Sequence, residues 1–356
     1  MAITYHAGRR IQATSTDFGT AGAGIPGVSG GWKELGRTTL GSSGDSIDVS
    51  SLADKRYLMF LLDSRSNGTA ISTTWKANGS TGNEYSFRRN HDGTETDANT
   101  QPSAATSWTS IVTNAFGVGY AANKSGKEKL FLEHEVYQNT AGTGTSTTRT
   151  ENAFKWTGTD VIDQLTMHNS SSGDIVSGSE LVVLGWDPAD THTTNFWEEL
   201  GTTTASGSSS TLDVTFTGRK YLWIQAYTEP ASSDTTSYKM GTGGSIPAGD
   251  NYTYRWSLNG GTDTAVTILS HVQTGLAAQT RPTFTNIFIV NTASNEKLGY
   301  FHTVCENTAG AGTAPARSEG AFKFINTSAV MDIFRLYNNS SSNFNSNSFV
   351  KVWGSD

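Results

Sequence analysis

An internal repeat is the feature that most constrains how this chain can fold. Trp32-Lys-Glu-Leu-Gly36 returns as Trp197-Glu-Glu-Leu-Gly201, and Lys55-Arg-Tyr-Leu-Met59 as Arg219-Lys-Tyr-Leu-Trp223. Tyr85-Ser-Phe-Arg88 matches Tyr252-Thr-Tyr-Arg255, and Asn139-Thr-Ala-Gly-Thr-Gly-Thr145 matches Asn307-Thr-Ala-Gly-Ala-Gly-Thr313. Arg149-Thr-Glu-Asn-Ala-Phe-Lys155 matches Arg317-Ser-Glu-Gly-Ala-Phe-Lys323. The separation is 165 residues at Trp32 and Trp197, 164 at Lys55 and Arg219 and 169 at Asn169 and Asn338, so few insertions divide the copies. A period this long is a duplicated domain, not a short solenoid repeat. Copy one spans residues 32–188 and copy two residues 196–356, joined by the short linker Ala189–Asn195. Two domains also suit 356 residues, at about 100–200 residues per domain. Residues 1–31 fall outside the repeat. Gly19–Gly31 is rich in glycine and holds Pro26, which predicts a flexible N-terminal arm. Two readings of that arm stand: a disordered leader, or an arm that orders on a neighbouring subunit.

Within each copy the apolar period is two, not 3.6. In Leu130-Phe-Leu-Glu-His-Glu-Val-Tyr137, Leu130, Leu132, His134 and Val136 share one face; Phe131, Glu133, Glu135 and Tyr137 share the other. Tyr57-Leu-Met-Phe-Leu-Leu62 is a continuous apolar run, as expected of a central strand. Asp92-Gly93 and Asn259-Gly260 supply the left-handed backbone of tight hairpins. No helix longer than a turn or two is predicted. The expectation is an all-β protein of two tandem homologous jelly-roll-like β-sandwich domains, with about eight strands in each.

Composition narrows the function classes. Only 16% of residues are charged and the formal net charge is −7. No basic stripe exists to displace counterions from phosphates, so nucleic acid is not an expected partner. Aromatics reach 10% with nine tryptophans, enough for packed cores. No apolar run approaches a membrane span, and Met1–Arg10 has no apolar core of a secretory signal. Cys305 is the single cysteine, so no intramolecular disulfide forms; it is read as a structural thiol.

No catalytic constellation stands out, and no catalytic residue, metal or cofactor is expected. Glu133 and Glu135 lie about 7 Å apart along a strand, near the carboxylate separation of inverting glycosidases. Copy two has Phe301 and Thr303 there, so the pair is read as a solvated sheet face. His134 and His302 are equivalent and fall on the apolar-alternating face. They are read as core histidines bonded to a neighbour, with pH sensing as the alternative. A metal role would need partner ligands, and Glu133 and Glu135 point away. The glycine-rich loops at Asn139 and Asn307 lack the lysine and following helix of a phosphate cradle. Arg149/Glu151 and Arg317/Glu319 alternate on strands and read as surface ion pairs worth about 0–1 kcal/mol, or else as subunit contacts. Trp156, Trp223 and Trp256 lie in predicted strands, where an exposed one would stack on a sugar ring. Trp32 and Trp197 are read as core.

Three stretches carry a resemblance. They are Lys55-Arg-Tyr-Leu-Met-Phe-Leu-Leu-Asp-Ser-Arg65, Ala77-Asn-Gly-Ser-Thr-Gly-Asn-Glu-Tyr-Ser-Phe87, and the closing pattern from Ile162-Asp-Gln-Leu-Thr-Met-His-Asn-Ser170 through Val176-Ser-Gly-Ser-Glu-Leu-Val-Val-Leu-Gly185. With them each copy resembles a β-sandwich module of structural proteins of tailed phages and related environmental viruses. Copy two departs in having Ser346-Asn-Ser348 for Ser177-Gly-Ser179. The resemblance covers nearly all of residues 32–356 and implies a non-enzymatic virion structural protein: a capsid decoration, fibre or tail-associated subunit, assembled in the host cytoplasm. Expected partners are other virion proteins and further copies of the chain, trimers being common among virion jelly rolls. A carbohydrate- or receptor-binding adhesin on the particle is the first alternative, and a double-jelly-roll major capsid protein the second.

Overall fold

The computed structural model of the chain describes residues 31–105, 113–188, 190, 195–274, 276 and 280–356. Apart from Gly31, the predicted N-terminal arm lies outside the described residues, as does most of the linker. Among the described residues there is no helix, and each half has twelve strands. The first half runs β1 (Lys33–Thr39), β2 (Ser46–Ser50), β3 (Tyr57–Arg65), β4 (Thr73–Ala77), β5 (Tyr85–His91) and β6 (Thr94–Gln101). It continues with β7 (Ala104–Ala105), β8 (Asn114–Ala122), β9 (Lys129–Tyr137), β10 (Thr148–Trp156), β11 (Gln164–Asn169) and β12 (Glu180–Trp186). The second half runs β13 (Glu198–Thr204), β14 (Thr211–Thr215), β15 (Tyr221–Thr228), β16 (Thr236–Gly241), β17 (Tyr252–Leu258) and β18 (Thr264–Leu269). It ends with β19 (Val272–Gln273), β20 (Thr283–Val290), β21 (Lys297–Cys305), β22 (Ala316–Phe324), β23 (Ile333–Asn338) and β24 (Phe349–Ser355).

The pairing nests. β1 pairs with β12, β2 with β11, β3 with β8 and β4 with β7, all antiparallel. The chain crosses between sheets at each step from β1 to β4, so one sheet holds β1-β12-β3-β8 and the facing sheet β2-β11-β4-β7. A long hairpin rolled up on itself gives this order, which makes each half a jelly roll. The roll accounts for eight strands of each half, against the expected total of about eight. Hairpins β9–β10 and β5–β6 then widen the first sheet to eight strands, and the second half repeats the whole order. The β5–β6 turn needs Asp92 and Gly93, whose φ values of 48° and 87° are both left-handed.

Strand β3 explains its own apolar run. Leu58, Phe60 and Leu62 point into the first sandwich, beside Ile47, Trp75 and Met167. Met59 and Leu61 point out of it, into a second cluster with Phe116, Val118, Val182 and Leu184. That cluster continues into Trp197, Tyr221, Phe288, Leu298 and Tyr300 of the second half. The two eight-stranded sheets therefore pack through their outer faces, and both faces of β3 are covered. Cys305 stands where the first copy has Tyr137 and is fully buried.

The expected solvated face of β9 is corrected. Glu133 and Glu135 are buried inside the first sandwich, because it is the Leu130–Val136 face of β9 that points outward. Trp75 Nε1 donates to Glu133 Oε1 at 2.7 Å and Asn152 Nδ2 to Oε2 at 3.0 Å. Tyr137 OH donates to Glu135 at 2.5 Å. Burial, and then the neighbouring Glu135 carboxylate, hold the Glu133 carboxyl well above the usual carboxylate range. A carboxyl raised in this way contributes its stability below the unfolded value of about 4.3 and loses it as pH rises through the folded value. Glu133→Gln removes the charge at nearly the same shape. It is expected to melt above wild type at pH 8, by about 2–4 °C per kcal/mol relieved, and level with it near pH 4. Thermal melts at the two pH values check this; a loss at pH 8 instead of a gain would mean that the ionised acid is needed.

Candidate functional site

The junction between the halves gathers several residues singled out in the sequence. Cross-strand pairing sets His134 beside Glu151 on β9 and β10, and His302 beside Glu319 on β21 and β22. Sheet packing then brings the two histidines together, ring centroids 4.4 Å apart, with His134 stacked on Tyr300 at 5.3 Å. They are thus junction residues and not core histidines of their own sandwiches. Burial, with Arg149 adding, pushes the His134 imidazole down to about 4. Burial, and then His134, push His302 down to about 3. Both are neutral at pH 7.

Glu133 and Glu135 do point away from His134, but two other ligand-bearing residues, His302 and Glu151, lie beside it. Glu151 Oε1 is 3.9 Å from His134 Nδ1 and 4.0 Å from His302 Nε2. The three ligand atoms fall within 4.8 Å of one another. Zinc bonds of about 2.0–2.2 Å would need them about 3.4 Å apart. The Glu151 oxygen also already accepts from Arg149 Nη1 at 2.5 Å. The enclosed space is about 10 Å³, roughly one water. The donor set suits a polar plug better than a metal.

Arg149 is buried and forks onto Asp263 of the second half, Nε to Oδ2 at 2.8 Å and Nη2 to Oδ1 at 2.7 Å. The surface-pair reading is therefore overturned for Arg149. Its counterpart Arg317 stays 61% exposed, 3.6 Å from Glu319. Arg255 Nε pairs with Asp92 Oδ1 at 3.1 Å, and Lys220 with Asp63 and Glu180 at 3.3 and 3.0 Å, all across the junction.

A groove of about 820 Å³ lies on the outer face of the first sandwich, where the second half does not cover it. It is lined by Ala122, Leu130 and Leu132 and by the aromatic side chains of Trp32, Tyr57, Tyr120 and Trp186. Tyr57 stacks on Trp186 at 5.4 Å and Trp32 tilts over Tyr120 at 6.3 Å. Arg88, Asp97, Asn99 and Lys155 rim it. Asp97 is the only carboxylate among the described lining residues. The site can take up flat apolar surface and fix it with a few charges.

The tryptophans divide differently from the sequence reading. Trp156 is buried in the first core and donates to Glu84 at 2.9 Å, so it offers no stacking face. Trp256 packs against the second core. Trp223 is sandwiched in an outer-face stack with Phe288 and Trp353, at 5.7 and 5.1 Å. Trp197 is buried as expected, whereas Trp32 lines the groove. The groove residues were missed because Leu130 and Leu132 looked like core. The signal was the inverted polarity of β9, with both carboxylates on the opposite face. Lys129 and Lys297 were missed as well: both are buried, Lys129 Nζ on the carbonyls of Lys124, Lys127 and Thr159, Lys297 Nζ on those of Asn295 and Asn326.

Two outcomes test the junction. Arg149→Ala strands Asp263 in a buried site and is expected to cost about 3–5 kcal/mol; Arg317→Ala should stay within about 0.5 kcal/mol. Urea unfolding of both variants decides, and equal effects would mean Arg149 is not the buried fork described. A histidine lowered in the fold costs nothing above the unfolded value of about 6.5 and destabilises as pH falls below it. Melting temperature should therefore drop from pH 6.5 toward 4, and less steeply in a His134→Asn, His302→Asn double variant.

No protein-family model matches the sequence, and no curated protein matches it. Among solved structures, the LG1-3 region of the laminin alpha2 chain is similar at 7% identity and a TM-score of 0.22, over 87% of this chain. The chain spans 64% of that region's length. Domains LG4-5 of the mouse laminin alpha1 chain are similar at 11% identity and a TM-score of 0.20, over 93% of this chain and 92% of that one. At these scores the fold is read from the strand order of the chain itself.

Proposed function

We propose that this chain is a non-enzymatic structural subunit of a virus particle, a decoration, fibre or tail-associated component, that works through surface contacts. The observation that carries the contact role is the apolar groove of the first sandwich, with one carboxylate among its described lining residues. A hydrolase of the two-carboxylate kind needs a second acid facing the first, and the paired acids Glu133 and Glu135 are sealed inside a core. An apolar hollow rimmed by charge is instead the anatomy of a contact surface. The particle assignment is supported by the resemblance of both copies to virion β-sandwich modules. Its partners on this reading are other particle proteins and further copies of the chain.

Quantitative mass spectrometry of purified particles tests it. The chain is expected at a stoichiometry comparable with known shell, tail or fibre proteins, and its absence would remove the particle role. The adhesin reading has one observation in its favour: the Tyr57–Trp186 stack and Trp32 present aromatic faces on an open groove. Saturable binding on a glycan array, lost in Trp32→Ala, would establish that reading in place of the first.

A further inference from the structure

We infer that the chain associates head to tail with further copies of itself. The groove end of the first sandwich of one chain docks on the uncovered far end of the second sandwich of the next. The inference deepens the structural-subunit reading and rests on it.

Two copies of one fold that meet through the same sheet face have two options. About a twofold axis, every contact has its mate; otherwise each copy contributes a different patch. Register fixes which residues are equivalent: Tyr57 opposes Ala122 as Tyr221 opposes Val290, and Asp63 opposes Phe116 as Tyr227 opposes Phe284. Phe116 packs on Tyr221 at 6.4 Å, so a twofold would set Tyr57 on Phe284. Instead Tyr57 stacks on Trp186 of its own sheet, and both it and Phe284 are exposed. Tyr221 OH donates to Glu180 at 2.9 Å; the mate of that contact would join Tyr57 to Phe349, which is exposed too. Arg149 holds Asp263, while Arg317 faces solvent. Only the equivalent histidines His134 and His302 meet as a twofold axis would have them; the flanking contacts lack their mates, so the junction is heterologous.

What it leaves uncovered is a matched pair of surfaces. Tyr57, Leu130 and Leu132 are the equivalents of Tyr221, Leu298 and Tyr300, which the junction buries to 4% exposure or less. Phe284, Val304 and Phe349 are the equivalents of Phe116, Val136 and Glu180, buried to 5% or less. The six open residues are 37–60% exposed and account for all but Ile268 and Val330 among the exposed large hydrophobics of the described residues. Each chain thus keeps one unused copy of each side of an interface it already makes once. Repeating a heterologous contact gives a ring if the rotation closes and a filament if it does not. Gln225, Asn286 and Lys351 stand where the first copy has Leu61, Val118 and Val182. The contact between chains is therefore more polar than the one within them, and reversible.

Sedimentation velocity of the full chain across micromolar to submillimolar concentrations tests this. Wild type is expected to pass beyond the dimer as concentration rises. Leu132→Lys spoils the groove end alone, and Val304→Lys the far end alone. Each variant by itself should be monomeric with a wild-type melting temperature, since both side chains are exposed. An equimolar mixture should form dimers and nothing larger, because each variant keeps the end the other has lost. That complementation also proves both variants folded. Wild type monomeric throughout overturns the inference, as does a mixture that stays monomeric while wild type assembles. A chain found in particles but monomeric alone would overturn head-to-tail association only. A chain that assembles but is absent from particles would overturn the particle role only.

Discussion

An eight-stranded sheet that is apolar on both faces has to be covered twice, and the rest of this molecule follows from that demand. In each half the four-stranded sheet covers the inner face. Part of the outer face is covered by the other half, through an aromatic run from Trp197 and Trp223 across Phe288 and Tyr300 to His134. Each fully buried Leu or Phe contributes about 1.5–3 kcal/mol, against about 0–1 for an exposed ion pair. Apolar burial therefore holds the halves together. The charged contacts around it, Arg149 on Asp263 and Lys220 on Asp63 and Glu180, penalise any other register, because a slipped sheet would leave a buried charge unpaired.

The same demand explains how the two copies diverged. Glu133 and Glu135 sit inside the first core with Trp75, Asn152, Thr73 and Tyr137 as partners. The second copy fills the same places with Phe301 and Thr303, and both kinds of core close. Outside, residues keep their identity but not their surroundings: Arg149 and Arg317 are the same amino acid at the same register, one buried in a fork and one in solvent. Position in the pair, not position in the fold, decides what each does.

The architecture was legible because it is written in local chemistry: the repeat, the period of two, and Asp92-Gly93 at a hairpin tip. Each half has twelve strands where typical strand lengths suggested about eight, although the β5–β6 hairpin and β9 were already legible; pieces as short as the two-residue β7 and β19 leave no alternation to read. The site was largely illegible. Alternation says that two faces differ, but not which is inside, so β9 was read with its carboxylates in water when its leucines are. Trp156, Trp223 and Trp256 all lie on strands, yet their exposure depends on which sheet covers them. Arg149 acquires its meaning from Asp263, 114 residues away, a contact that exists only once two sheets have packed.

Cys305 carries a consequence of a different kind. The only thiol in the chain is fully enclosed by the second sandwich, on a strand flanked by β20 and β22. An alkylating reagent reaches it only when that sandwich opens, and opening of the first leaves it untouched. The duplicated halves, nearly alike to circular dichroism or calorimetry, are therefore chemically distinct. The labelling rate of one native sulfur clocks the second half by itself and reveals whether the shared interface makes the two unfold as one.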